Sequence, residues 1–153
     1  MQQQLPYLLR EAVPGDHSFI LNSFLQSHKD HSSAMYVNPT IYYKNQADII
    51  TYLLQNASTL VACFPEEPEQ IKGYVIYEYL CKTLIMHYAY FKTMHRNQHL
   101  FTDIVTTLCD PDNTIIVCTH INFNFPKLQH VIEGKRLTYD PYFITTKRLL
   151  GAP

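Results

Sequence analysis

The chain has 153 residues, 46% of them hydrophobic and 16% charged, with a formal net charge of −1. That length and balance suit one globular domain with a buried core, and they exclude a disordered chain. A charge so near zero, with Lys and Arg scattered, gives no pull toward nucleic acid or an anionic membrane.

Residues 1–13 have no basic leader and no long apolar stretch. Neither a signal peptide nor a membrane anchor is expected, and the expected setting is cytoplasmic. Residues 7–11 read as a short strand, punctuated by Pro14-Gly15-Asp16. From His17 the apolar residues Phe19, Ile20, Phe24 and Leu25 fall on one helical stripe, opened by Pro14 or Asp16. The stretch 31–44, rich in Ser, Asn, Pro and Tyr, reads as a surface loop. Asn45 then caps a second helix with the stripe Ile49, Ile50, Leu53 and Leu54. Residues 59–64 and 72–78 are strands joined by the Pro-rich turn 65–70, which makes a hairpin. Residues 83–91 form a longer strand.

After Thr93 the period changes. Leu100, Phe101, Ile104, Val105 and Leu108 define a helix that stops at Asp110-Pro-Asp-Asn113. Residues 114–118 are wholly apolar, as a strand covered on both faces would be. Asn124 and Pro126 suit the start of a last helix and Gly134 its end. Residues 136–144 read as a final strand. The predicted order is β-α-α-β-β-β-α-β-α-β in one domain over residues 1–153, with no repeat or linker. The four cysteines lie in or beside apolar runs and are expected to be buried and reduced. No metal site is expected: His28, Asp30 and His31 cluster, but no further ligand stands at a telling spacing. Walker, Rossmann and Gly-x-Ser-x-Gly fingerprints are absent.

This order resembles that of GNAT-type (GCN5-related) N-acetyltransferases, an α/β (α+β) fold with a mixed, mostly antiparallel sheet flanked by helices. Arg10-Glu-Ala-Val-Pro-Gly-Asp16 resembles the R-x-A-x-x-x-D string that leads into the first helix of many members. Leu60-Val-Ala-Cys63, Gly73-Tyr-Val-Ile-Tyr77 and Leu84-Ile-Met-His-Tyr-Ala-Tyr-Phe-Lys92 resemble the central strands. The nearest likeness is to a GNAT-like group often encoded by phages. It lies in Phe19-Ile-Leu-Asn-Ser-Phe-Leu25, Thr119-His120 and Tyr139-Asp-Pro-Tyr-Phe143. A phage-encoded chain would work in the host cytoplasm.

The resemblance implies a site for acetyl-CoA. Its most specific motif, R/Q-x-x-G-x-G/A, opens a helix and wraps the pyrophosphate with backbone N–H groups, aided by the helix dipole. The aligned stretch here is Arg96-Asn97-Gln98-His99-Leu100-Phe101. Arg96 fits the leading position, while His99 and Phe101 stand where the family has small residues. The loop is therefore degenerate: the side chains of His99 and Phe101 either fill the space that phosphate needs or, in the case of His99, offer phosphate a donor. A positive φ at His99 would cost about 1–2 kcal/mol. Backbone groups of Tyr88, Ala89 and Tyr90 are implied to pair with the pantetheine arm, and Asn124 to lie near the cofactor.

Acetyl transfer to an amine needs a base, an oxyanion donor and an acid. Glu78, at the end of its strand, and His87, in mid-strand, are the candidate bases. Their structural alternatives are a solvated strand end and a hydrogen-bonded sheet histidine. The family's acid Tyr precedes by four residues the Gly after the last helix, a position held here by His130. Tyr36, Tyr42 and Tyr43 fall in the region that lines the acceptor side. The function implied is acyl transfer from acetyl-CoA to an unassigned amine. The alternative is a catalytically inactive GNAT-fold module acting through a protein partner. A sheet edge near the C-terminus offers a surface for a homodimer.

Overall fold

The computed structural model describes residues 6–29, 36–110, 115–120 and 135–144, the side chains at 28, 29, 97 and 98 excepted. Six strands form one sheet in the order β1 (Leu8–Glu11), β2 (Ser58–Cys63), β3 (Ile71–Leu80), β4 (Thr83–Phe91), β5 (Ile115–Cys118) and β6 (Arg136–Tyr139). The pairs from β1 to β4 are antiparallel, and β4–β5 and β5–β6 are parallel. Helices α1 (His17–Lys29) and α2 (Pro39–Asn56) follow β1, and α3 (Leu100–Leu108) follows β4. The described elements thus keep the predicted order. The predicted last helix lies outside the described residues.

The sheet has a core on each face. Ile20 and Phe24 of α1 and Ile50 and Leu53 of α2 pack with Tyr74, Ile76 and Tyr88 on one side. The α3 stripe Leu100, Phe101, Ile104, Val105 and Leu108 packs on Val75, Leu84, Met86, Ala89 and Phe91 on the other. Arg10 locks the start of the fold. Its guanidinium forks onto the Asp16 carboxylate at 2.7 and 3.0 Å and donates to Pro68 O of the β2–β3 turn at 2.8 Å. Asp16 also accepts the Val13 N–H, which closes the turn Pro14–Asp16 that leads into α1.

Two bulges shape the sheet. Ala62 pairs with Gly73 and Cys63 with Ile71, leaving Lys72 as an extra residue. Ile76 pairs with Tyr88 and Tyr77 with Met86, leaving His87 as an extra residue in β4. A bulge reverses the alternation of a strand. Accordingly Leu84 and Met86 before it, and Ala89 and Phe91 after it, all enter the α3-side core. Gly73 lets β3 and β4 close beneath Phe91, since a Cβ there would stand 2.1 Å from Phe91 Cδ1 and 2.6 Å from Tyr90 O.

Some expectations need correction. Helix α2 begins at Pro39, so 39–44 is helix and not loop. Asn38 is the cap, its Oδ1 accepting from the N–H groups of Thr40 and Ile41, and Asn45 lies inside the helix. Tyr42 and Tyr43 are therefore helical. Tyr42 is buried with its hydroxyl on Leu25 O, whereas Tyr36 is exposed. The final strand ends at Tyr139, because Asp140 starts a turn. All four cysteines are free thiols. Cys63 and Cys118 are buried and Cys109 is half-buried, but Cys81 is exposed in the β3–β4 turn at φ 54°. Burial raises the Cys118 thiol to about 12. No described helix is long and apolar enough to cross a membrane.

Candidate functional site

The parallel register of β4 and β5 ends at Met86 opposite Cys118. Thr119 N–H still reaches Met86 O at 3.2 Å, but β4 runs on to Phe91 after β5 has stopped. The bulge at His87 falls at this point of separation. Bulges bend a strand and re-aim a side chain, and they gather beside active sites.

The re-aimed side chain joins a line of four polar groups. His87 Nε2 lies 3.0 Å from Glu78 Oε2, and His87 Nδ1 lies 3.0 Å from Thr119 Oγ1. Thr119 Oγ1 is in turn 3.0 Å from His120 Nδ1. His120 Nδ1 also lies 3.0 Å from the His87 carbonyl, which can only accept, so Nδ1 carries the proton. An ionised Glu78 accepts from His87 Nε2–H, which leaves His87 Nδ1 to accept the Thr119 hydroxyl. The side chains of His87 and Glu78 are 1% and 14% exposed, so the pair sits in a poorly solvated setting. A carboxylate that orients an imidazole in this way is the arrangement general-base chemistry uses.

The two candidate bases named separately from sequence are thus brought into contact. Glu78 is not a solvated strand end, and His87 is a sheet histidine whose hydrogen bonds run along the line. Thr119 and His120 join the site without a motif that marks them in the sequence. The signal available was their place just past the C-terminal end of a parallel strand, where α/β proteins gather ligands. His120 is half-buried, with its ring edge-on to Phe24 at 5.5 Å and Tyr88 at 6.1 Å. Tyr88 donates its hydroxyl to Ser27 Oγ of α1 at 2.6 Å. Ala89 faces α3, and Tyr90 packs against Phe19 and Tyr74.

The loop opening α3 follows directly from β4. Thr93–Gln98, which includes Asn97 and Gln98, makes a 3-10 turn, and Arg96 Nε donates to Phe91 O at 3.0 Å, tying the turn to the strand end. His99 caps α3 at φ 57° and ψ 19°, in left-handed space. Its side chain is exposed. Leu100 is buried, and Phe101 is 5% exposed with its ring edge-on to Phe91 at 6.1 Å. Phe101 therefore packs into the α3-side core.

One turn on, Asp103 accepts the Tyr7 hydroxyl at 2.5 Å. Burial and this carboxylate raise Tyr7 to about 12. A cleft of about 190 Å³ lined by Glu11, His17, Ser58 and Thr59 contains none of the predicted site residues. Among the described residues no group of three or more His, Cys, Asp or Glu could hold a metal ion. Asn124 and His130 lie outside the described residues, as do Asp30, His31 and the side chain of His28.

No family model matches the chain, and no curated protein matches it. Among solved structures it is similar to a "possible acetyltransferase" from Clostridium difficile 630, with a TM-score of 0.60 and 14% identity over 88% of this chain and 93% of that one. It is also similar to a chimera of the spermidine N-acetyltransferase SpeG from Vibrio cholerae and hSSAT, with a TM-score of 0.52 and 16% identity over 84% of this chain and 78% of that one. The chain therefore has the GNAT fold, with its six-stranded, mostly antiparallel sheet flanked by helices.

Proposed function

We propose that this chain is an N-acyltransferase that uses acetyl-CoA on an amine, with the Glu78–His87 pair as its base. The observation that carries the reading is the buried Glu78–His87 contact, made at a bulge where two parallel strands part.

The described residues fit acetyl-CoA at the start of α3. His99 already holds the left-handed conformation that glycine adopts at little cost, and Phe101 is turned into the core. The N–H groups of His99, Leu100 and Phe101, with Arg96, Asn97 and Gln98 in the preceding turn, would hold the pyrophosphate at the positive end of the helix dipole. The backbone of Tyr88, Ala89 and Tyr90 would run beside the pantetheine arm, with Asn124 near it. Acetyl-CoA supplies an activated thioester, and amide formation from it needs an unprotonated amine.

The Glu78–His87 pair accepts the proton that the acceptor ammonium must lose. Low solvent exposure strengthens the hydrogen bond between carboxylate and imidazole, and the carboxylate sets the resting tautomer of the ring. His130 keeps the acid role implied by its place in the sequence.

The test is acetyl-CoA-dependent thiol release over a panel of amines, for the intact chain and for Glu78→Gln. The substitution keeps an acceptor near His87 and removes the charge. Release should fall by about 10²–10⁴-fold. A Glu78→Gln chain as active as the parent would remove the pair from the reaction.

A further inference from the structure

His87 and Thr119 are 1% and 2% exposed, so neither can itself meet an acceptor amine. The hydrogen-bonded line does not end with them. It continues to His120, which is half-buried and lies just past the end of β5, where β4 and β5 part.

We propose that His120 is the group that takes the proton from the acceptor, and that Thr119 and His87 relay it to Glu78. This inference rests on the acyltransferase reading above. In the resting state His120 carries its proton on Nδ1, directed at the His87 carbonyl and at Thr119 Oγ1. The Thr119 hydroxyl, whose oxygen also lies 3.3 Å from the His87 carbonyl, is placed to donate to His87 Nδ1 at 3.0 Å, and His87 donates Nε2–H to the Glu78 carboxylate. All three steps start from hydrogen bonds of 3.0 Å.

The amine's proton goes to His120 Nε2, which makes the imidazolium. The Nδ1 proton then moves to Thr119 Oγ1, the Thr119 proton to His87 Nδ1, and the His87 Nε2 proton to Glu78 Oε2. His120, Thr119 and His87 each receive one proton and pass one on. The end state is a neutral His120, an intact Thr119 hydroxyl, a neutral His87 in its other tautomer, and a protonated Glu78. The transfer cancels the charges at the two ends and leaves none in the buried middle, where an unpaired charge is costly. After transfer the protons shift back along the line and His120 loses its Nε2 proton to solvent, which restores the resting hydrogen bonds.

Among the described residues, the titratable groups recorded along the line are Glu78 from β3, His87 and Tyr88 from β4, and His120 after β5. Tyr88 contributes its ring to His120 and directs its hydroxyl to Ser27.

The experiment combines kinetics and ring-nitrogen NMR on the full chain. Thr119→Val, nearly isosteric, should lower kcat by about 10–100-fold and leave KM for acetyl-CoA within about twofold, while Thr119→Ser, which keeps the hydroxyl, recovers most of the loss. His120→Ala should lose about 10²–10³-fold, and added imidazole should restore part of it, a response that a purely structural role would not give. In the intact chain, protonating His120 should shift the His87 ring toward its Nδ1–H tautomer, and Thr119→Val should abolish that coupling.

A Thr119→Val chain with parental kcat, or a His87 tautomer indifferent to His120, overturns the relay. If no amine is acetylated, the acyltransferase reading fails, and the tautomer coupling still decides whether the four groups act as one line.

Discussion

The backbone at His99 makes a prediction with a sign opposite to ordinary helix behaviour. His99 caps α3 at φ 57° and ψ 19°, with no side-chain capping hydrogen bond. Left-handed backbone costs an L residue with a Cβ about 1–2 kcal/mol relative to glycine. Glycine gives back about 0.4–1 kcal/mol through its greater freedom in the unfolded chain. His99→Gly and His99→Ala both delete the imidazole, so the difference between them isolates the backbone. Gly should be the more stable of the two by about 0.8 kcal/mol after subtracting the entropic part, and by no more than about 1.6 kcal/mol. At about 2–4 °C per kcal/mol for a chain of this size, the melting temperatures should differ by about 2–3 °C, and by no more than about 6 °C. In a right-handed helical position the order reverses, with Ala ahead by about 1 kcal/mol. Thermal unfolding of the two variants under one set of conditions decides it. An Ala variant more stable than the Gly variant refutes the left-handed cap.

Gly73→Ala places a methyl against Phe91 and Tyr90 O. It should destabilise the fold by about 1–3 kcal/mol in denaturant titration, as overpacking does. Phe101→Ala should cost about 3–5 kcal/mol through the lost core packing, with no gain in acetyl-CoA affinity. Tighter binding would mean that the ring obstructs the ligand after all. The Arg10–Asp16 pair should appear in acid. Burial works against ionising Asp16, but the Arg10 hydrogen bonds and the Val13 amide outweigh it and hold the carboxyl below its ordinary value. A depressed folded pKa adds stability above the unfolded value, near pH 4, and that stability is lost as pH falls through the folded value. The gap in unfolding free energy between the parent and Asp16→Asn should therefore narrow below about pH 4.

Much of the scaffold is legible in the chain, for identifiable reasons. The α3 stripe is an unbroken helical period, and all five of its residues are buried. The β2–β3 hairpin is marked by its Pro-rich turn. The start of α2 is harder. Its first turns bury little besides Tyr42, so the apolar stripe begins late, although Asn38-Pro39 is a capping residue followed by a proline suited to the first helical position. Cys81 looks internal beside its apolar neighbours, but it sits at the tip of a tight turn.

The site divides in the same way. Glu78 and His87 stand out as chemical groups, whereas their contact depends on a bulge, and a bulge is a property of strand pairing. The apolar run around His87 is nearly continuous, so the reversal of alternation leaves no trace in the pattern. Thr119 meets His87 across 32 positions, which no local signal encodes.

The central claim is that the start of α3 and the parting of β4 and β5 together receive acetyl-CoA. Titration calorimetry of the intact chain with acetyl-CoA tests it most directly. The acyltransferase reading predicts a saturable isotherm with one ligand per chain. An absence of binding at about millimolar acetyl-CoA, weaker than about 4 kcal/mol of binding free energy, would contradict it.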